Sequence, residues 1–257
     1  MARLAERPIE VGWLLDTRQP SFLFQGPRRV RGLDWRPGPA EGGFDRAPVD
    51  EEWHLFEVPC PYNLRLKPVQ DAQGKIGLVN ALKGPDTISP RRIGQIAVPV
   101  ERELWRDPRR PLVQVATPFR FVADEPLWIT QLPPFNAPHQ RAWPGAFIAG
   151  RFPLHIWPRA ISWAFEWHDP SRELVLEAGA PWFYIKLESR EPMRRIAFVE
   201  ARMTPSLRKF CSGLDGVVHY VNRTFSLFEV AKRRRPETLL TRAGAETPGD
   251  ERSHAGR

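Results

Sequence analysis

Cysteine is scarce in this sequence. The 257 residues include only two cysteines, Cys60 and Cys211. Two thiols are too few for a thiolate zinc site or for a disulfide framework. We therefore expect both cysteines to be reduced and to pack as small apolar side chains, with a single bridge between them as the alternative.

Long apolar runs are absent as well. No stretch reaches the roughly 18 to 20 apolar residues that a membrane-spanning helix needs. Charges also interrupt residues 1–20, where a signal peptide would carry its apolar segment. The sequence therefore predicts a cytoplasmic protein without a membrane partner.

Several familiar phosphate-binding and hydrolase motifs are missing. The sequence has no G-x-x-x-x-G-K-[ST] loop, no G-x-G-x-x-G turn and no G-x-S-x-G elbow. These absences argue against a P-loop nucleotidase, a dinucleotide-binding domain and an α/β-hydrolase.

Lysine is rare among the basic residues. Only six of the 38 basic residues are lysines, so 32 are arginines, and the formal net charge is +8. Arginine suits phosphate and carboxylate recognition because its guanidinium donates two parallel hydrogen bonds. The charge therefore permits an acidic partner, nucleic acid included. A compositional origin in a GC-rich genome, which the 28 prolines also fit, is the alternative.

Proline and glycine interrupt the chain at short intervals, and the runs between them are rich in Val, Ile, Phe and Trp. This pattern is typical of many short strands. It predicts a mainly β protein, either a β-sandwich or a jelly roll of the double-stranded β-helix type. The predicted strands are residues 10–15, 53–58, 63–67, 75–80, 112–116, 120–123, 127–131, 146–156, 161–168, 173–177, 182–188 and 195–203.

The predicted strands divide the chain into four parts. Residues 1–50 are expected to form an irregular N-terminal arm with one short strand, and residues 51–203 to form the β core. Residues 204–240 are predicted to form one or two C-terminal helices packed on that core, and residues 241–257 a disordered tail.

The helical prediction depends on a change of period after Met203. Thr204 can cap a helix that Pro205 begins. Apolar residues then recur at steps of three and four, which places them on one helix face. Gly213 and Gly216 can divide this segment into two helices. The apolar face comprises Leu207, Phe210, Cys211, Leu214, Val217, Val218, Val221, Phe225 and Phe228.

The stretch WPRAISWAFEWHDP, residues 157–170, carries the candidate site. Strand alternation sends the odd-numbered residues Ile161 to Trp167 into the core and the even-numbered residues to the other face. On that second face, Ser162 and Ala164 leave space beside Glu166 and His168. We expect this face to line an enclosed cavity, where space and polar groups converge as a ligand site requires.

A metal site depends on how the preceding strand, residues 146–156, pairs with residues 161–168. With a four-residue loop, His155 faces Ala164 and Glu166 is its diagonal neighbour, so His155, Glu166 and His168 could share an ion. Two histidines and one carboxylate are the ligand set of non-haem iron enzymes. With a two-residue loop, Glu166 faces Arg151 and forms an ordinary ion pair. The sequence leaves both registers open.

Three segments carry a resemblance to a known family: PLVQVATPFRFVAD, WPRAISWAFEW and EAGAPWFYIKLE. Over about residues 55–240 the chain resembles a family of bacterial and tailed-phage proteins of unknown function. The resemblance implies a β-rich core and no particular activity. EAGAP before FYIKLE also resembles the turn and strand of double-stranded β-helix proteins, although the two histidine motifs of the cupins are missing.

Three functional hypotheses follow. The first is a pocket-bearing enzyme that acts on a small molecule or peptide, in one version a metal-dependent oxygenase of the non-haem iron type with iron or another divalent metal on His155, Glu166 and His168. The second is a non-catalytic module whose arginines bind an acidic partner. The third is a structural or assembly protein, which the resemblance to phage proteins supports.

Overall fold

The computed structural model shows a mainly β, sandwich-like fold, as the sequence predicted. Three α-helices lie in its described residues, and none of these helices is long and apolar enough to cross a membrane. The structure describes residues 7–15, 25–30, 32–33, 47–48, 53–84, 88–158, 160–215 and 224–244.

The described strands follow one another at short intervals along the chain. In order they are β1 (Ile9–Leu15), β2 (Arg28–Arg29), β3 (Gly32–Leu33), β4 (Ala47–Pro48), β5 (Leu55–Pro59), β6 (Leu64–Gln70), β7 (Ile76–Asn80), β8 (Ala97–Pro99), β9 (Leu112–Val122), β10 (Leu127–Leu132), β11 (Gly145–Phe147), β12 (Gly150–Pro153), β13 (Ala160–Trp167), β14 (Leu174–Leu176), β15 (Pro181–Ser189) and β16 (Ile196–Glu200). The helices are α1 (Pro90–Ile96), α2 (Pro205–Asp215) and α3 (Thr224–Arg234).

Two large sheets form the sandwich. Sheet A has the order β11-β13-β9-β1-β16, with β8 also paired to β9. Sheet B has the order β12-β10-β15-β5-β2. A smaller sheet, β14-β6-β7, and a pair, β3-β4, complete the described strands. All pairs are antiparallel except β1 with β16, which run parallel.

The main core lies between the two sheets. Strand alternation sends every second side chain of β13 inward, as predicted: Ile161 is 5% exposed, and Trp163, Phe165 and Trp167 are fully buried. Buried residues of sheet B, such as Ile129 and Phe183, belong to the same apolar cluster. Tryptophan at this density is therefore mainly core material, because large aromatic side chains bury much apolar area.

The short strand predicted in the N-terminal arm is an interior strand of sheet A. β1 lies between β9 and β16. Val11 belongs to the core between the sheets, whereas Leu14 belongs to a second apolar cluster on the other face. Of the predicted arm, this strand is therefore part of the core.

The two C-terminal helices cover the end of sheet A. The N–H of Leu207 donates to Thr204 Oγ1 at 3.1 Å, which is the predicted cap. Leu207, Phe210, Cys211 and Leu214 join Trp157 in the second cluster. The predicted face residues Val217, Val218 and Val221 lie outside the described residues, as does the side chain of Phe225.

Two local features were not predicted from the sequence. Helix α1 follows Ser89, whose hydroxyl accepts from the N–H of Arg92, and it begins at Pro90. Thr241 and Arg242, expected to begin the disordered tail, pair with the chain after β16, since the N–H of Arg202 donates to Thr241 O at 2.9 Å. Residues 245–257 of that predicted tail lie outside the described part of the chain.

The chain changes sheets within the predicted strand 146–156. β11 pairs with β13 in sheet A, and after Ile148 and Ala149 the chain continues as β12 in sheet B. Gly145 permits the first pairing, because a Cβ at this position would overlap the carbonyl oxygen of Glu166. The expected single strand is therefore two strands, and this break determines where His155 lies.

Candidate functional site

Glu166 is buried and His168 is half-exposed at the end of β13. Glu166 is paired with Ala146 of β11 on one side and Leu112 of β9 on the other. The side chain of His168 is 46% exposed, so it does not lie in the enclosed cavity that the sequence led us to expect. The structure has neither of the two proposed registers, because β12 is not the partner of β13.

The carboxylate of Glu166 belongs to a chain of ion pairs. Its Oε1 is 3.1 Å from His168 Nε2 and 3.7 Å from a guanidinium nitrogen of Arg110. Arg110 Nε is in turn 3.6 Å from Asp107. Hydrogen bonds from the side chain and backbone of Arg109 lower the pKa of Asp107 to about 2. Each charge in this chain therefore has an opposite charge beside it.

The Glu166–His168 pair resembles half of a nucleophile-activating arrangement, in which a carboxylate orients an imidazole. In the described part of the chain, no hydroxyl or thiol is hydrogen-bonded to His168. The arrangement shown is therefore that of a polar link between the loop before β9 and the end of β13.

His155 lies in the other sheet. It follows β12, and its Nδ1 is 3.2 Å from both the backbone nitrogen and the backbone oxygen of Leu127, where β10 begins. Glu166, in contrast, belongs to β13 of sheet A.

The structure therefore brings Glu166 and His168 together but does not bring His155 to them. Within the described residues, no group of three or more His, Cys, Asp or Glu side chains is arranged to hold a metal ion. The premise of the predicted ligand set, pairing of residues 146–156 with 161–168 along their whole length, is wrong, because only residues 145–147 pair with β13 and residues 150–153 pair with β10.

A small cavity lies where the chain crosses from sheet B to sheet A. Its volume is about 20 Å³, which is room for one water molecule. Such a cavity is too small for a substrate. Its lining residues are Ile129, Phe152, Leu154, Trp157, Ile161 and Ser162.

The surroundings of His155 are strongly basic. Partial burial lowers the pKa of His155, and the nearby cations Arg235, Arg190 and Lys232 lower it further, while the hydrogen bond with the Leu127 backbone opposes them. Arg235 also donates from Nε to the carbonyl oxygen of His155 at 2.7 Å. Several nearby cations therefore act together on the pKa of His155.

Arg235 differs from its two basic neighbours because it is held inside the protein. Its guanidinium donates to Asp124 and to the backbone oxygens of Pro236 and Glu237. Asp124 also accepts from the N–H of Leu239 at 2.6 Å. This arginine therefore fastens the chain after α3 to the turn between β9 and β10.

Arg190 and Lys232 have no such partners. Both side chains are exposed. Within the residues that the structure describes, neither forms a hydrogen bond or an ion pair, and the same is true of the exposed Arg233 and Arg234 at the end of α3. Cations at the C-terminus of a helix interact favourably with the helix dipole, which explains the basic residues at the end of α3. Arg190 lies at the end of a strand, so the helix dipole does not explain its position.

A layer formed by an indole ring and a guanidinium group lies near these exposed cations. The ring of Trp128 lies 5.7 Å from the His155 ring, edge to face, and the Arg151 guanidinium lies over the indole at 5.1 Å. Arg151 Nε donates to Glu188 at 3.0 Å, and Thr130 donates to the same carboxylate oxygen at 2.9 Å. We call Trp128, Arg151, His155, Arg190 and Lys232 together the His155 patch.

Of the His155 patch, sequence reasoning singled out only His155, and for a different purpose. The signal that would have found Trp128 is the alternation in LWITQL of β10, where Leu127, Ile129 and Gln131 are buried and Trp128 is not.

Compared with known proteins, the chain matches no family model, no curated protein and no solved structure. The resemblance to the bacterial and tailed-phage family therefore stays a prediction.

Proposed function

We propose that this protein is a non-catalytic binding module that holds an acidic partner at the His155 patch. The observation that carries the proposal is the placement of three cations near His155. Arg235 donates to the His155 carbonyl oxygen, and Lys232 lies three residues before it in the last turn of α3. Arg190 directly follows Ser189, which pairs with Leu127, the residue whose backbone contacts the His155 ring. Arg190 and Lys232 are exposed and have no carboxylate partner in the described residues. Like charges brought together on a folded surface repel one another, and a bound anion removes that cost.

Several arginines elsewhere in the protein are paired, although single unpaired cations such as Arg91 also occur in the described residues. Arg28 pairs with Glu57, Arg110 with Glu166 and Arg194 with Glu125. A fork-shaped pair such as Arg194 with Glu125, at 2.7 and 2.9 Å, uses up the hydrogen-bonding capacity that an outside anion would need. Arg190 and Lys232 keep that capacity free.

The pocket-bearing enzyme has less support. That hypothesis places Glu166 and His168 in an enclosed polar cavity, whereas His168 is 46% exposed and the cavity that Ser162 lines has room for a single water. A binding module needs only an exposed and preorganised surface, which is what the His155 patch offers.

Binding of polyanions at two salt concentrations tests the proposal. A fluorescent polyglutamate peptide and a fluorescent single-stranded oligonucleotide are the probes, with anisotropy as the readout. We expect at least one probe to bind and to dissociate as salt rises, because phosphate or carboxylate contacts release counterions. The double variant Arg190→Ala/Lys232→Ala should weaken binding about tenfold or more and lower the salt slope by about two.

The matched control removes the same two residue types at the other end of β9. Arg91 and Lys83 are exposed and form no hydrogen bond or ion pair in the described residues. Helix α1, which carries Arg91, packs beside β8 at the start of β9, and the two ends of that strand are roughly 30 Å apart. Arg91→Ala/Lys83→Ala should bind as the parent protein does. Equal losses in both double variants, or no binding of either probe, would overturn the proposal.

A further inference from the structure

The His155 patch has one feature that an acidic partner as such does not require. The Arg151 guanidinium carbon lies over the ring of Trp128, 5.1 Å from its centroid, and the charge of Arg151 is already balanced by Glu188. Lys186 Nζ, 3.6 Å from Glu188, adds a further charge to the same group. A paired and layered guanidinium adds little attraction for a distant anion, so its position calls for a different explanation.

The planar shape of the guanidinium group explains its position over Trp128. A guanidinium plane and an indole ring are both surfaces on which a flat ring stacks. The Arg151 side chain is 53% exposed, so the side of the layer that faces away from Trp128 is open to solvent. Glu188 and the ring of Trp128 together hold this side chain in place, which lowers the entropy lost when a ligand stacks on it.

Arg190 and Lys232 lie beside this layer, where they can contact the phosphates that adjoin a stacked base. Trp128 is paired with Glu188 across β10 and β15, and Arg190 follows two residues later, about 7 Å along the strand direction. Lys232 lies at the same end of the sheet, because it is in the last turn of α3, three residues before Arg235, which donates to the carbonyl oxygen of His155. A stacking surface beside unpaired cations is the arrangement that proteins use for single-stranded nucleic acids.

On the basis of the proposed function, we infer that the acidic partner is a single-stranded nucleic acid, with a base stacked on the Trp128–Arg151 layer and phosphates at Arg190 and Lys232. The open layer selects unpaired strands, because a duplex keeps the faces of its bases in its own stack. An acidic peptide would use the cations but has no base to place on the layer.

The decisive variant keeps a positive charge at position 151 and removes the planar guanidinium group. Arg151→Lys can still pair with Glu188, whereas a lysine ammonium offers no flat surface. The probes are a labelled thymidine oligonucleotide of about ten nucleotides, within the span that single-strand modules cover, an abasic oligomer of the same length, a duplex of the same sequence, and polyglutamate. Trp128→Leu is the second variant, because it keeps an apolar side chain without the ring.

We expect the parent protein to bind the oligonucleotide about tenfold tighter than the abasic oligomer, which corresponds to one stacked base. Arg151→Lys and Trp128→Leu should each reduce that preference, whereas Arg190→Ala/Lys232→Ala should weaken binding of the oligonucleotide and of the abasic oligomer alike and leave the preference between them in place. Circular dichroism and urea unfolding of both variants show whether the fold is intact, and Arg151→Lys serves alone if Trp128→Leu unfolds.

Two outcomes overturn the inference in distinguishable ways. Equal binding of the oligonucleotide, the abasic oligomer and polyglutamate, with no effect of Arg151→Lys, would leave the acid-binding module in place and remove the nucleic acid. Tighter binding of the duplex than of the single strand would also remove it. If no polyanion binds, the inference fails together with the proposed function.

Discussion

The outer face of β13 and the His155 patch contain similar side chains in opposite electrostatic states. At β13, Glu166 joins His168 and Arg110 in a chain of paired charges. At the patch, an imidazole lies among cations of which Arg190 and Lys232 have no carboxylate in the described residues. Histidine and arginine occur in both places, so residue type does not separate them.

What separates the two regions is whether the protein has already balanced its own charges. A balanced cluster links parts of the chain and has little to offer a ligand, because its hydrogen bonds are occupied. An unbalanced cluster costs folding free energy through repulsion and is relieved by an outside anion. We therefore assign a structural task to the β13 face and a binding task to the patch.

The largest effect tests whether β13 is primarily a core strand. Trp163 is fully buried and stacks on Phe165 at 5.2 Å, with Trp143 edge-on at 5.5 Å. Trp163→Ala should lower the free energy of unfolding by about 3–5 kcal/mol, through lost burial and the cavity left behind. Urea unfolding measures it. Trp105→Ala, a partly exposed tryptophan of a surface loop, should cost less than half as much, and a similar loss in both would contradict the assignment.

The next effect tests the pairing that places Glu166. Gly145→Ala puts a Cβ against the carbonyl oxygen of Glu166, so β11 must move away from β13. We expect a loss of about 1–3 kcal/mol in urea unfolding. Gly213 of α2 is the control, since nothing lies within 4 Å of a Cβ added there. Gly213→Ala should stabilise the helix by about 0.5–1 kcal/mol, and a neutral Gly145→Ala would mean that the β11–β13 pairing is not as described.

A smaller effect on stability, expected when the charge of Glu166 is removed, tests the difference between the two charged regions. Glu166→Gln removes the charge that both Arg110 and His168 face, and should cost about 1 kcal/mol of unfolding free energy without changing polyanion binding. Glu173→Gln is matched to it, because Glu173 is 36% exposed and 3.9 Å from Arg65, and should cost close to nothing. Loss of polyanion binding in Glu166→Gln would erase the distinction between the regions.

The smallest effect is a pH dependence at the patch. The pKa of His155 is below its ordinary value of 6.5 in the folded protein, so the unfolded chain takes up the proton first as pH falls. The stabilisation by neutral His155 is complete above about pH 6.5 and is lost as pH falls through that value towards the folded pKa. Urea unfolding between about pH 7.5 and 5.5 measures this loss, which should be smaller in His155→Gln. If the free energy of unfolding depends on pH equally in the parent protein and in His155→Gln, then His155 does not cause the loss of stability.

Much of the fold followed from local patterns. Alternation in residues 161–168 predicted which side chains of β13 enter the core, and Thr204 with Pro205 predicted the start of α2. Both rest on contacts between residues near in sequence, which a pattern encodes directly. Helix α1 was missed because seven residues are too few to establish a helical period.

The candidate site could not be derived in the same way. Residues 146–156 are mostly apolar, and although Gly150 and Pro153 interrupt them, neither shows that the chain leaves sheet A after Phe147 and enters sheet B at Gly150. Pairing between strands depends on partners distant in sequence, and the two proposed registers both assumed a hairpin. The expected position of His155 beside Glu166 depended on that hairpin, which the structure does not have.

By itself, the sequence determined a mainly β chain with one or two C-terminal helices, the side chains of β13 that enter the core, and a surplus of arginine. Only the tertiary structure decided which charges neutralise one another. The reason is that composition sets the number of cations, whereas the energy of each depends on the distance to its neighbours and on burial. Folding pairs Arg110 with Glu166 and, among the described residues, gives Arg190 and Lys232 no carboxylate partner.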